Sequence, residues 1–279
     1  IAIPTVVMAC TVNEEHGFTG VSGLCKSLAD GAATANASAA VASTHTIKSL
    51  LPRRPDAAIV AEPTNLHVVV AHKGAVRWRC HTRGKAVHSS QPQLGENAIY
   101  RMAKVLAALE VYQREVVGCL ADHPLCGKPT LSVGTISGGL SVNTVPDRCT
   151  IEIDRRLAPG ENPQAARKHV IDFVETQTAF GNYVEHDPPW LESRGLGDQH
   201  NAALATSLVA AVWDATGRKA ETKGVSFGTD AAMIAGSGIP CVVFGPGSIQ
   251  QAHTADEWVP LAEVEQAAEA LYRWVTAWQ

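Results

Sequence analysis

The sequence predicts an α/β domain interrupted by an α+β insertion, and three observations carry that reading. Short apolar runs rich in β-branched residues lie near both ends of the chain, at residues 5–12, at 56–64 and in IPCVVFGPGS. Such runs suit strands buried on both faces of a mostly parallel sheet. The middle of the chain instead alternates apolar and polar residues in the order β-α-β-β-α, as an antiparallel sheet with helices on one face does. Beyond it the buried pattern returns, so residues 1–69 and 187–279 are expected to form one domain around an insert of residues 70–186.

The elements follow in order. TVVMACTV is the first strand, and it stops at NEEHGFTG, where polar residues and two glycines mark a loop. Residues 21–50 are rich in Ala and Ser. Alanine favours helix, but the apolar periodicity is weak, so a helix with a loose, low-complexity insert is expected. DAAIVAEPT is a second apolar strand, closed by Pro63. HVVVAHKGAVRWRCHTRG alternates as a half-exposed antiparallel strand does. In ENAIYRMAKVLAALEVYQREV, Ile99, Met102, Val105, Leu106 and Leu109 fall near helical spacing behind Asn97, a suitable N-cap. PTLSVGTISGG and DRCTIEIDRRL are two more strands, and Pro163 opens a helix in NPQAARKHVIDFVETQ. NAALATSLVAAVWDATG is a helix that stops at Gly217. In the tail, Leu261, Val264, Ala268, Leu271, Val275 and Trp278 form one stripe of a helix docked on a core.

Composition narrows the function classes. Of 279 residues, 46% are hydrophobic and 18% charged, which excludes a wholly disordered chain. A formal net charge of -4 gives no basic field for nucleic acid or an anionic membrane surface. No apolar run approaches the roughly 20 residues of a membrane span, and no signal-peptide pattern is visible. Seven cysteines without a CxxC pair match no zinc finger or disulfide framework, as expected of reduced, mostly buried thiols in a cytoplasmic protein.

In open α/β sheets, functional residues gather in loops past the carboxyl ends of strands. Three such loops carry suitable atoms: Glu14 and Glu15 in the first, Glu62 of EPT in the second, and His253 of AHTADE in the third. Taken singly, an acid pair is usually a solvated turn and a histidine a hydrogen-bonded loop residue. Taken together at one sheet edge, three carboxylates and an imidazole suit a divalent metal such as zinc, cobalt or manganese.

The same strings carry a family resemblance that runs along nearly the whole chain. TVNEEHGFTG resembles the TxDEExGxxG string of the dinuclear-metal amidohydrolases that include acetylornithine deacetylase, succinyl-diaminopimelate desuccinylase, aminoacylase and glutamate carboxypeptidase. AEPT resembles their second metal motif, and GTDAAMIAGSGIPCVVFGPGSIQQAHTADEWV their C-terminal one. HSSQPQLGENAI and SVNTVPDRCTIEIDRRLAPGE resemble parts of their inserted dimerisation, or lid, domain. The resemblance implies a metallopeptidase-like catalytic domain, a ferredoxin-like lid, two divalent metal ions with zinc first, and a homodimer. It makes Glu14 the general base, Glu15 and His253 ligands of one metal, and Glu62 a ligand of the other. It makes His88 a residue that reaches the partner subunit's active site. Arg156 would grip a substrate carboxylate, and Asn143 is a second substrate contact. Asn13 stands where the family commonly has Asp, a position that is not a direct ligand. The implied reaction is hydrolysis of an N-acyl amino acid or short peptide. A metal-acidified water attacks the amide, while Glu14 moves the proton.

The family pattern also has a His-x-Asp string and a metal-bridging Asp before the EE motif. Only 13 residues precede Glu14, and none is His or Asp. The expectation is an N-terminally incomplete copy lacking roughly 100 residues, about the size of a small domain. The other readings are a separate chain that completes the site, and a non-catalytic dimerising or ligand-binding relative.

Overall fold

In the computed structural model the described residues are 4–33 and 53–278. The loose Ala/Ser-rich insert expected within residues 21–50 falls largely outside them. The chain divides into two compact domains, one of residues 1–72 and 196–279, the other of residues 73–195. The expected divisions, after residues 69 and 186, thus lie three and nine residues earlier than those of the compact units.

In chain order the elements are α1 (Thr19–Ala33), β1 (Ala58–Val60), β2 (Val68–His72), β3 (Gly74–Arg83) and α2 (Ala98–Val111). Next come β4 (Thr130–Gly138), β5 (Arg148–Leu157), α3 (Pro163–Thr178), β6 (Val184–His186) and β7 (Leu191–Ser193). The chain ends with α4 (Ala202–Thr216), β8 (Thr222–Val225), α5 (Ala231–Gly236), β9 (Cys241–Val243) and α6 (Leu261–Ala277).

The first domain holds a four-stranded sheet in the order β1-β9-β2-β8. β1 runs parallel to β9 and β2 parallel to β8, while one antiparallel pair, Val69 with Val243, joins the two halves. Both faces are covered, which is why VVVAH is buried throughout. On one face Val68, Val70, Val242 and Phe244 pack with Leu204, Leu208 and Val212 of α4 and with Ala267 and Ala270 of α6. On the other, Val69, Cys241 and Val243 pack with Ala231 and Ala232 of α5. The insert leaves after His72 and returns at Leu196, and these two residues exchange backbone hydrogen bonds of 3.0 and 3.1 Å.

The second domain is an antiparallel sheet in the order β4-β5-β3-β6, with β7 also paired to β3. β3 and β5 pair along their full ten residues. Alternation then sorts the side chains. Val76, Trp78, Cys80, Ile151 and Ile153 face a core with Met102, Val105 and Leu109 of α2 and Val170 and Val174 of α3. Arg77 and Arg79 face the other way and pair with Asp154 and Glu152, each at 3.0 Å. Asn97 caps α2 by accepting from the Ile99 and Tyr100 amides, and Asn162 caps α3 ahead of Pro163.

Three expectations are corrected. Residues 5–12 form no strand, and Val6, Val7, Met8 and Val12 are exposed. A strand buried on both faces needs sheet neighbours, and this segment has none among the described residues. The alternating stretch around residue 70 is two strands rather than one. β2 belongs to the first domain's sheet, and only β3 is antiparallel in the insert. In α6 the docked face is Ala267, Ala270, Leu271, Trp274 and Trp278, whereas Leu261 is 72% exposed. The two alanines let α6 lie close to α4, and Trp274 Nε1 donates to Ser207 Oγ at 2.9 Å. The docked face thus keeps Leu271 and Trp278 of the expected stripe and turns only its first part outward.

Candidate active site

Each of the three loops singled out in the sequence bends through left-handed backbone without glycine. Asn13 and Phe18 have φ of 63° and 56°, Asn65 and Leu66 of 52° and 62°, and His253 of 61°. Among the described residues the sixth such position is Ala179, at the end of α3. Left-handed non-glycine residues cost energy and persist where the surroundings over-determine them, as at functional sites.

The first loop is a closed turn. The Asn13 carbonyl accepts from Gly17 N and Phe18 N, and the Asn13 side chain donates to Thr19 Oγ1 at 3.1 Å. Asn13 thus ties the Glu14–Glu15 turn to the start of α1. Gly20 makes this possible, because a Cβ there would meet Val12 N at 2.3 Å. The second loop, after β1, is stitched to the segment after β9. Gly245 N donates to Thr64 Oγ1, and a Cβ on Gly245 would meet the Glu62 carbonyl at 2.6 Å. The third loop brings His253 Nε2 within 2.7 Å of Glu15 Oε1, across 238 positions of sequence.

Glu14, Glu15, Glu62 and His253 therefore share one electrostatic neighbourhood, together with Asp230. Burial pushes the Glu14 carboxyl up to about 7, and the charges of Glu62, Glu15 and Asp230 add to the rise while His253 opposes it. Glu62 is raised by burial and then by Glu15 and Asp230. The hydrogen bond and charge of Glu15 raise His253. Carboxylates that push one another up in this way are relieved by a cation, so the donors suit a divalent metal in kind. In number the fit is partial. Glu15 and His253 meet, yet among the described residues no three His, Cys, Asp or Glu side chains stand as a metal-binding group.

The other expected site residues lie in the second domain. His88 is exposed, and its Nδ1 shares a 2.8 Å hydrogen bond with Ser90 Oγ. Ser89 N donates to the Asn143 carbonyl at 2.9 Å, so His88 and Asn143 share one corner, at the hairpin between β4 and β5. Arg156 lies near the far end of β5, where its Nε is 3.0 Å from Asp154 Oδ1. From Cys149, at the hairpin end, to Arg156 is about 23 Å at a strand rise of about 3.3 Å per residue. Its neighbour Arg155 points into the core instead and pairs with Glu161 at 2.7 Å.

Two residues of the first site were not singled out in the sequence. Asp230 is 5% exposed and accepts from Thr11 Oγ1 at 2.5 Å. Both lie inside strings that carried the resemblance, but nothing local marks Asp230 as buried.

The fold is an α/β domain with an inserted α+β domain. Residues 70–181 match the peptidase dimerisation domain family. The fold resembles the aminopeptidase PepT of Bacillus cereus, with a TM-score of 0.66 and 21% identity over 95% of this chain and 62% of that one. An acetylornithine deacetylase of Myxococcus xanthus is 33% identical over 77% of this chain and 56% of its own length. A putative succinyl-diaminopimelate desuccinylase of Mycobacterium tuberculosis is 30% identical over 79% of this chain and 58% of its own. The chain is a relative of these deacetylases and desuccinylases and spans little more than half the length of either. Among the described residues, no helix is long and apolar enough to cross a membrane.

Proposed function

We propose that the protein is a metal-dependent amidohydrolase that cleaves the amide of an N-acyl amino acid, in the manner of an acetylornithine or succinyl-diaminopimelate deacylase. The observation that carries the reading is the convergence of Glu14, Glu62 and the Glu15–His253 pair, 2.7 Å apart, from three separate loops. Mutually repelling carboxylates beside an imidazole have no structural use of their own. Glu15 and His253 would hold one divalent ion and Glu62 a second, zinc first and cobalt or manganese as alternatives. A divalent metal bound there polarises the scissile carbonyl and acidifies water.

Glu14 takes the proton of the attacking water and passes it to the leaving amine. Arg156 holds the substrate carboxylate through its guanidinium fork. The His88–Asn143 corner lies at the hairpin end of β5, and Arg156 lies toward its other end. The family resemblance supports His88 acting in the partner subunit's active site of a cytoplasmic homodimer, at the developing oxyanion, with Asn143 as a second substrate contact. The competing reading, a non-catalytic dimerising or ligand-binding relative, draws on the absence of a three-ligand group among the described residues.

The test is amine release by the whole protein from acetylornithine, succinyl-diaminopimelate, other N-acetyl amino acids and short peptides. Hydrolysis of at least one, abolished by chelation and restored by zinc or cobalt, is expected. Folded, metal-loaded protein inert on the entire panel would overturn the reading.

A further inference from the structure

Asp230 is a buried carboxylate that the reaction outlined above does not use. It stands between two anchored residues. Thr229 is 1% exposed and shares a 3.1 Å hydrogen bond with His72 Nε2, and Ala231 is fully buried at the start of α5. The Asp230 side chain is therefore fixed by the core of its own domain. Its Oδ2 accepts from Thr11 Oγ1 at 2.5 Å, across 219 positions of sequence, while Oδ1 has no hydrogen-bond partner among the described residues. A buried carboxylate with one oxygen unsatisfied is costly, and such a group calls for a reason.

The reason lies at the other end of that bond. The arm of residues 4–12 joins no sheet among the described residues. Among the described residues two hydrogen bonds hold it: Gly20 N to the Val12 carbonyl at 3.0 Å, and the Thr11 hydroxyl to Asp230. The first ties the arm to α1, which belongs to the same turn. The second ties it to a different part of the domain. Glu14 follows Thr11 by three residues, so movement of Thr11 is movement of Glu14.

We propose that Asp230 is a positioning residue for Glu14: it clamps Thr11, and with it the arm that enters the Glu14–Glu15 turn, to the buried start of α5. The inference rests on Glu14 being the general base, but the clamp itself is read without turnover. A base held even about 1 Å from its productive place loses on the order of a hundredfold in rate.

The experiment uses whole, metal-loaded protein carrying Thr11→Ala, Thr11→Ser, Asp230→Ala, Asp230→Asn and the Thr11→Ala/Asp230→Ala pair. Two readouts are taken, steady-state kinetics and hydrogen–deuterium exchange of residues 11–18. Thr11→Ala and Asp230→Ala are each expected to lower kcat about a hundredfold with KM changed less than about threefold. Because both break one bond, the double variant should be no slower than the slower single one. Thr11→Ser and Asp230→Asn keep a donor and an acceptor, and should stay within about tenfold of the parent protein. Exchange in residues 11–18 should rise equally in both alanine variants and no further in the pair. If Asp230→Ala does not fold, Thr11→Ala and Asp230→Asn decide. Multiplicative losses in the pair, Asp230→Asn as slow as Asp230→Ala, or unchanged exchange in Thr11→Ala would overturn the clamp. If the protein hydrolyses nothing, the amidohydrolase reading fails, and the exchange result still supports or sinks the clamp.

Discussion

His253 joins a left-handed backbone to a 2.7 Å contact with Glu15, and both features follow from its place in the loop after β9. Removing it should weaken the metal site more than the fold, because its side chain is exposed. His253→Ala is expected to lower zinc affinity at least about a hundredfold in a competition titration, with the unfolding midpoint of the metal-free protein unchanged. A second histidine gives a pH effect away from the site. His186 Nδ1 accepts from Trp78 Nε1 at 3.1 Å, which requires the neutral ring. Burial, then the charges of Arg167 and His81, push it down from 6.5 to about 4, with Asp187 pulling the other way. Between those values the unfolded chain binds the proton and the folded one does not. The stabilisation is therefore complete above pH 6.5 and lost as pH falls toward 4. Denaturant unfolding should show the parent protein losing roughly 2 kcal/mol more than His186→Leu between pH 7 and pH 4.

At the scale of elements, what was legible in the sequence was what is decided locally. Asn97 before α2, Pro163 at the head of α3 and Gly217 after α4 act through their own backbone, and each helix begins or ends where they put it. What was not legible depends on partners. Residues 5–12 have a buried strand's composition but no neighbour to pair with among the described residues. The split between β2 and β3 is set by which sheet each joins, and the repeating apolar pattern runs through both. In α6 the docked face keeps Leu271 and Trp278 of the expected stripe but turns toward Ala267 and Ala270, because close packing against α4 favours small side chains. Ala270→Leu should therefore destabilise the protein by about 1–3 kcal/mol through overpacking, measured by chemical denaturation. The candidate site divides in the same way. Glu14, Glu15, Glu62 and His253 were singled out from loop positions and motifs. Thr11 and Asp230 were not, because a clamp between residues 219 positions apart exists only after folding.

At the scale of the molecule, the insert of residues 73–195 is a separate compact unit with its own core, entered and left beside the His72–Leu196 pair. If its His88–Asn143 corner serves the partner's site, mixed dimers will show it. Glu14→Gln and His88→Ala, each inactive alone, should recover about a quarter of parental activity when unfolded and refolded together in equal amounts. Half of the dimers are then mixed, and each holds one site with both residues intact. No recovery would place His88 outside the shared site. The central claim, that Glu14 is the base of a metal-dependent amidohydrolase, is tested most directly by kcat for Glu14→Gln with the metal content measured on the same sample. The account predicts full metal loading with kcat lowered by about 10²–10⁴-fold on any N-acyl amino acid that the parent protein cleaves. A metal-loaded Glu14→Gln protein that turns over at the parental rate would contradict it.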